Sequence, residues 1–103
     1  MQLSVLFAGE ELTVCLQGEL DHHCASAARE QIDIDIDTYA PEVLGQDFSG
    51  LTFMDSSGIG LRKGRYRLMQ SIGGTVKIKN VIPRCYKMLQ MAGIERMMEV
   101  KVQ

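Results

Sequence analysis

The stretch Asp47-Phe-Ser-Gly-Leu-Thr-Phe-Met-Asp-Ser-Ser-Gly-Ile-Gly-Leu61 constrains this chain more than any other. An extended apolar segment runs into Asp55-Ser56-Ser57-Gly58, and a helical pattern begins directly afterwards. That order predicts a strand handing over to a helix. The first N–H groups of a helix lack intrahelical partners, so a hydroxyl or a negative charge is favoured there. On spacing alone, Ser56 and Ser57 read as N-caps. Gly58 and Gly60 read as positions where a helix approaches a sheet closely.

The rest of the chain supplies strands and helices in alternation. Residues 2–7 and 11–17 are apolar or alternating, and Ala8-Gly9-Glu10 between them predicts an opening hairpin. Gly18-Glu19-Leu20-Asp21 breaks the pattern, and Asp21 is a suitable N-cap for a helix over 22–38. Ala25, Ala28, Ile32, Ile36 and Tyr39 fall at helical spacing. Ile32-Asp-Ile-Asp-Ile-Asp37 alternates like a strand, but the longer periodicity favours the helix and leaves Ile34 off its buried face. Pro41 ends that element. A strand over about 43–48 follows, interrupted by Gly45 and Gln46 where a strand covered on both sides would carry Val, Ile or Leu. A second helix spans about 57–71 and stops at Gly73-Gly74. Thr75–Lys79 alternates as a half-exposed strand. Pro83 opens a third helix carrying Tyr86, Leu89 and Gln90 or Met91, Gly93 closes it, and Met97–Val102 forms a last strand. The order ββαβαβαβ predicts one α/β domain over residues 1–103, a mixed sheet of four to five strands with helices mainly on one face.

Composition narrows the class. The 103 residues suit one domain, and 46% apolar with 23% charged residues is ordinary for a soluble globular protein. No apolar run approaches a bilayer's width, and no basic-then-apolar leader is present, so a cytoplasmic protein with no membrane partner is expected. Cys15, Cys24 and Cys85 are widely spaced and read as reduced packing residues. His22-His23-Cys24 would point in different directions on a helix, so no metal and no other cofactor is expected. The net charge of −2 hides an asymmetry: residues 1–55 carry 11 acids and one base, and residues 56–103 carry 10 bases and two acids. The simplest account is that the halves interleave and neutralise one another, leaving a partner-facing patch at their junction.

Gly18-Glu-Leu-Asp-His-His23, Phe53-Met-Asp-Ser-Ser-Gly-Ile-Gly60, Gly64-Arg-Tyr66 and Ile72-Gly-Gly74 together resemble the bacterial anti-sigma factor antagonists. Those are single STAS domains, and the likeness is nearest to the anti-sigma F factor antagonists of spore formers. The resemblance covers essentially the whole chain, and Met54-Asp-Ser-Ser-Gly58 is its most specific part. It implies that Ser56, the serine directly after the aspartate, is phosphorylated by an anti-sigma factor that is itself a serine kinase. The unphosphorylated form would bind that kinase and free a sigma factor, and a PP2C-type phosphatase would reset the switch. The implied partner surface comprises Glu19, Asp21, His22, Asp55, Ser56, Ser57, Gly58, Ile59, Gly60 and Arg62, on a monomer without catalytic residues. Ser57 is then left as the helix cap.

Three departures from the family stand out. Leu44-Gly45-Gln46 replaces a continuous apolar run, Arg62-Lys63 replaces aliphatic residues in the second helix, and Ile34 with Ile36 looks misplaced in the first. Ile59, Arg62, Tyr66 and Met69 share one helical stripe, so either the Arg62 stem snorkels or that stripe is an interface. Other functions fit less well. The Gly-x-Ser-x-Gly turn of a serine hydrolase is absent, and the two histidines that could serve as base are adjacent and far upstream. Gly58-Ile-Gly60 with Gly64 misses the dinucleotide spacing by one residue. The basic residues are dispersed without interleaved aromatics, which argues against nucleic acid. The strongest rival keeps the fold: a STAS subunit of another partner-switching or lipid-transport assembly.

Overall fold

A computed structural model describes residues 2–102, with the backbone alone at Ser56, Leu61, Arg62 and Lys63. The chain order is β1 (Gln2–Ala8), β2 (Glu11–Leu20), α1 (Ala25–Tyr39), β3 (Val43–Met54), α2 (Ser56–Ser71), β4 (Thr75–Val81), α3 (Pro83–Met91), a 3-10 turn (Ile94–Arg96) and β5 (Glu99–Val102). The five strands lie in sequence order; β1 is antiparallel to β2 and the other neighbours are parallel. Each of the three crossovers steps the same way across the sheet, so right-handed connections place all three helices on one face. Burial agrees. Leu12, Val14 and Leu16 are sealed beneath the helices, and Glu11, Thr13 and Cys15 point to the half-open opposite face.

The helix over 32–37 follows the longer periodicity. Ile32 and Ile36 are buried and Ile34 is exposed, as an amphipathic helix requires. Its start differs from the expectation. Asp21 does not cap a helix at residue 22; its Oδ1 accepts from the N–H groups of His23 (2.9 Å) and Cys24 (3.3 Å), forming an Asx-type turn that delays α1 to Ala25. The His22 and His23 rings therefore lie with centroids 3.9 Å apart instead of fanning around a helix. Gly18 does not end β2 either. At φ +98° it makes an irregularity in the ladder, and the strand continues to Leu20.

β3 extends six residues past the expected end at 48, reaching Met54. Its first half pairs with both β2 and β4, and its second half with β2 alone, to Leu20↔Met54. Gly50 permits this: a Cβ there would stand 2.7 Å from the Gln17 Cγ and 3.2 Å from the Leu16 carbonyl oxygen. The last strand is shorter than expected, beginning at Glu99, because Ile94–Arg96 turns to bury Ile94. Cys85 is buried in the core and Cys24 packs against its edge. Cys15 and Cys24 are half-exposed, and the Cys24 thiol donates to the Glu19 carbonyl (3.2 Å).

The two charge halves interleave. Glu11 meets both Lys77 (2.8 Å) and Lys79 (2.9 Å), and Asp33 meets Arg65 (2.8 Å).

Candidate functional site

The strand-to-helix junction is organised by Asp55. Its backbone is extended (φ −105°, ψ −170°), which places its carboxylate over the first turn of α2. Oδ1 accepts from the Ser57 N–H at 2.8 Å and Oδ2 from the His22 N–H at 3.1 Å. The His22 Nδ1 lies 3.6 Å from the same Oδ2, and the Asp55 N–H donates to the Leu20 carbonyl at 3.2 Å. One side chain thus caps α2 and ties it to the turn after β2. Partial desolvation raises the Asp55 pKa, but the N–H groups of Ser57 and His22 outweigh it and hold the carboxyl below its ordinary value.

The helix cap is therefore Asp55, not Ser57. The two carboxylate oxygens let one aspartate accept from the Ser57 N–H of the helix and the His22 N–H of the turn at once. Ser56 is the first residue of α2, on the rim formed by the C-terminal ends of β2 and β3. The side chains of Ser56 and Arg62 lie outside the described residues.

The rim gathers most of the residues singled out in the sequence. Glu19 and His22 are exposed, Asp21, Asp55 and Ser57 are half-exposed, and Gly60 is open to solvent on α2. Ile59 turns inward and packs against the core, along with Tyr66 and the fully buried Met69. Those three residues of the stripe belong to the core, and the Arg62 side chain between them lies outside the described residues. Gly58 is buried, and a Cβ there would overlap the Met54 side chain, so it admits the helix onto the sheet. Gly60 does not share that role: a Cβ there meets nothing within 4 Å.

Sequence reasoning passed over Arg65. It is 7% exposed and sits beside a groove between α1 and α2 that also contains His22, Arg29 and Ser57. One signal existed, since Arg29 is the single base among residues 1–55.

With this geometry in place, comparison with known proteins is decisive at the level of family. The STAS domain signature matches residues 3–103. The chain belongs to the STAS domain family. It is 38% identical over 89 residues to the anti-sigma F factor antagonist of Paenibacillus polymyxa, covering 86% of this chain and 76% of that one. The antagonist of Lysinibacillus sphaericus is 35% identical over 85 residues, covering 82% and 73%. Among solved structures, the anti-sigma factor antagonist SpoIIAA in its unphosphorylated form superimposes with a TM-score of 0.84 at 31% identity, over 96% of this chain and 87% of that one. The Bacillus cell fate determinant SpoIIAA in its phosphorylated form gives 0.75 at 32% identity, over 96% and 90%. This STAS domain thus shares its fold with a protein known in both phosphorylation states.

Proposed function

We propose that this STAS domain is an anti-sigma factor antagonist switched by phosphorylation of Ser56. Unphosphorylated, it binds an anti-sigma factor that is a serine kinase and so releases a sigma factor; a PP2C-type phosphatase restores the binding form. The reading rests on the relatives' identity and on one structural observation. Asp55 already caps α2 at Ser57, so the cap does not call on Ser56, whose backbone opens α2 at the C-terminal rim of β2 and β3.

The placement explains how a phosphate can act without unfolding the domain. It adds roughly −1.5 to −2 charges, and the N-terminal turn of a helix favours negative charge. The effect falls on the visitor instead. Glu19, Asp21 and Asp55 already make this rim acidic, and a phosphate adds bulk and repulsion where a partner must approach closely. Ser56→Asp retains the native circular dichroism spectrum and loses the anti-sigma factor in a pull-down. Ser56→Ala binds and cannot be switched off. An unfolded Ser56→Asp protein refutes the interface mechanism. Incubation with the kinase and ATP, followed by mass spectrometry, puts the modification on Ser56; label on another residue overturns the assignment.

A further inference from the structure

We propose that the groove between α1 and α2 is a binding site for a phosphate dianion, with Arg29 and Arg65 as its positive wall. The groove has a volume of about 430 Å³ and runs past His22, Arg29, Ser57, Gly60, Gly64 and Arg65. No carboxylate appears among the described residues that line it.

Two features make it a built site. The first is the opening itself. Gly60 and Gly64 are one helical turn apart on α2, and a Cβ at either would meet nothing within 4 Å. Packing does not require these glycines, and alanine would make a better helix. Their effect is to keep the groove open.

The second is Arg65. Its side chain is 9% exposed, and its Nη1 is buried without a hydrogen-bond partner. The Nε lies 2.8 Å from Asp33 Oδ1, but the N–H does not point at that oxygen, so the contact is an ion pair without a hydrogen bond. Burial pushes the Arg65 pKa down, Asp33 opposes this, and repulsion from Arg29 adds to the fall. Two guanidinium groups thus repel across the groove, and Asp33 is paired with Arg65. An anion between them relieves that repulsion. Guanidinium groups suit a tetrahedral oxyanion, as charge-assisted donors.

The dianion has two sources: phosphate from solution, or the group carried by Ser56 one residue from Ser57. The second rests on the reading of Ser56 above and the first does not. Inorganic phosphate is titrated into isotope-labelled protein at constant ionic strength against chloride, following the Gly60 and Gly64 amides and the Arg65 Nε–H by NMR. The expected result is saturable shifts with phosphate, absent with chloride, and at least tenfold weaker binding in Arg29→Gln. Arg29 is exposed, so that variant keeps the wild-type melting curve. Protein carrying phosphoserine at position 56, introduced during translation, separates the sources. Groove signals already at their saturated positions identify the chain's own phosphate; continued titration identifies phosphate from solution. Shifts that never saturate, that chloride reproduces, or that persist in Arg29→Gln overturn the site. A kinase that ignores Ser56 sinks the functional reading and leaves the inorganic phosphate result standing.

Discussion

Gly45 and Gln46 are consecutive residues of β3, and they face opposite sides of one sheet with opposite outcomes. Gly45 lies on the open face between Thr13 and Lys77 of the flanking strands. Having no side chain, it lets the Glu11 carboxylate reach from β2 across β3 to Lys77 and Lys79 on β4. Every charge in that bridge has a partner. Gln46 points the other way, between Val14 and Ile78, both fully buried. Its side chain is sealed, and neither its amide nitrogen nor its amide oxygen has a hydrogen-bond partner. The lesson concerns where polarity is tolerated. At a half-open face a charged bridge forms with good geometry, whereas a lone amide in the helix-covered core gives up its water for nothing.

The largest test replaces the orphan amide. Gln46→Leu keeps a similar size, removes two unpaired polar atoms and adds apolar contact with Val14 and Ile78. It is expected to stabilise the domain by about 1–3 kcal/mol. Urea unfolding should show a higher midpoint with an unchanged slope. A lower midpoint would mean that the amide is satisfied where it is, and the contrast between the two faces would collapse.

The second test breaks the satisfied side. The hydrogen bond from Lys77, opposed by desolvation and reinforced by Lys79, lowers the Glu11 pKa from 4.5 to about 2. Because the folded value is depressed, the stabilisation is fully present above pH 4.5 and is lost as pH falls towards about 2. Glu11→Gln should therefore unfold more easily than the wild type near neutrality, by on the order of 1–2 kcal/mol once screening of this half-exposed group is allowed for. The two midpoints should converge as pH drops through that window. A difference that persists unchanged in strong acid would show that Glu11 acts by packing and not by charge.

These same residues show what a sequence can reveal and what it cannot. Helical spacing alone places Ile32 and Ile36 inward and Ile34 outward, and Gly73 and Gly93 mark true helix ends. Local signals suffice there because the forces are local. The strand-to-helix junction at Asp55 is also legible, since a short polar cluster after an apolar run leaves few conformations. Gly45 reads as a defect for the opposite reason. Its use depends on Glu11 meeting Lys79, a contact between residues 68 positions apart. Likewise the apolar run into Asp55 announces an extended segment, but its joining residues 43–48 in one strand depends on pairing with β2. Arg65 was hidden among ten bases of one half of the chain; only the packing of α1 on α2 separates it from the rest.

The smallest expected effect is also the sharpest, because it reverses sign. A Cβ at residue 45 would stand 2.7 Å from the Glu11 Oε2, the far end of a flexible side chain. In the wild type, Gly45→Ala displaces that carboxylate and weakens the bridge to both lysines, offsetting the roughly 0.5–1 kcal/mol that alanine normally gains over glycine within a strand. The net change should be a small loss. In a Glu11→Ala background nothing remains to be displaced, and Gly45→Ala should stabilise by roughly 0.5 kcal/mol. A double-mutant cycle in urea measures the difference directly. If the two backgrounds respond alike, the glycine is not there to let the carboxylate through. Its presence in the central strand would then need a cause on the other face, beside Gln46.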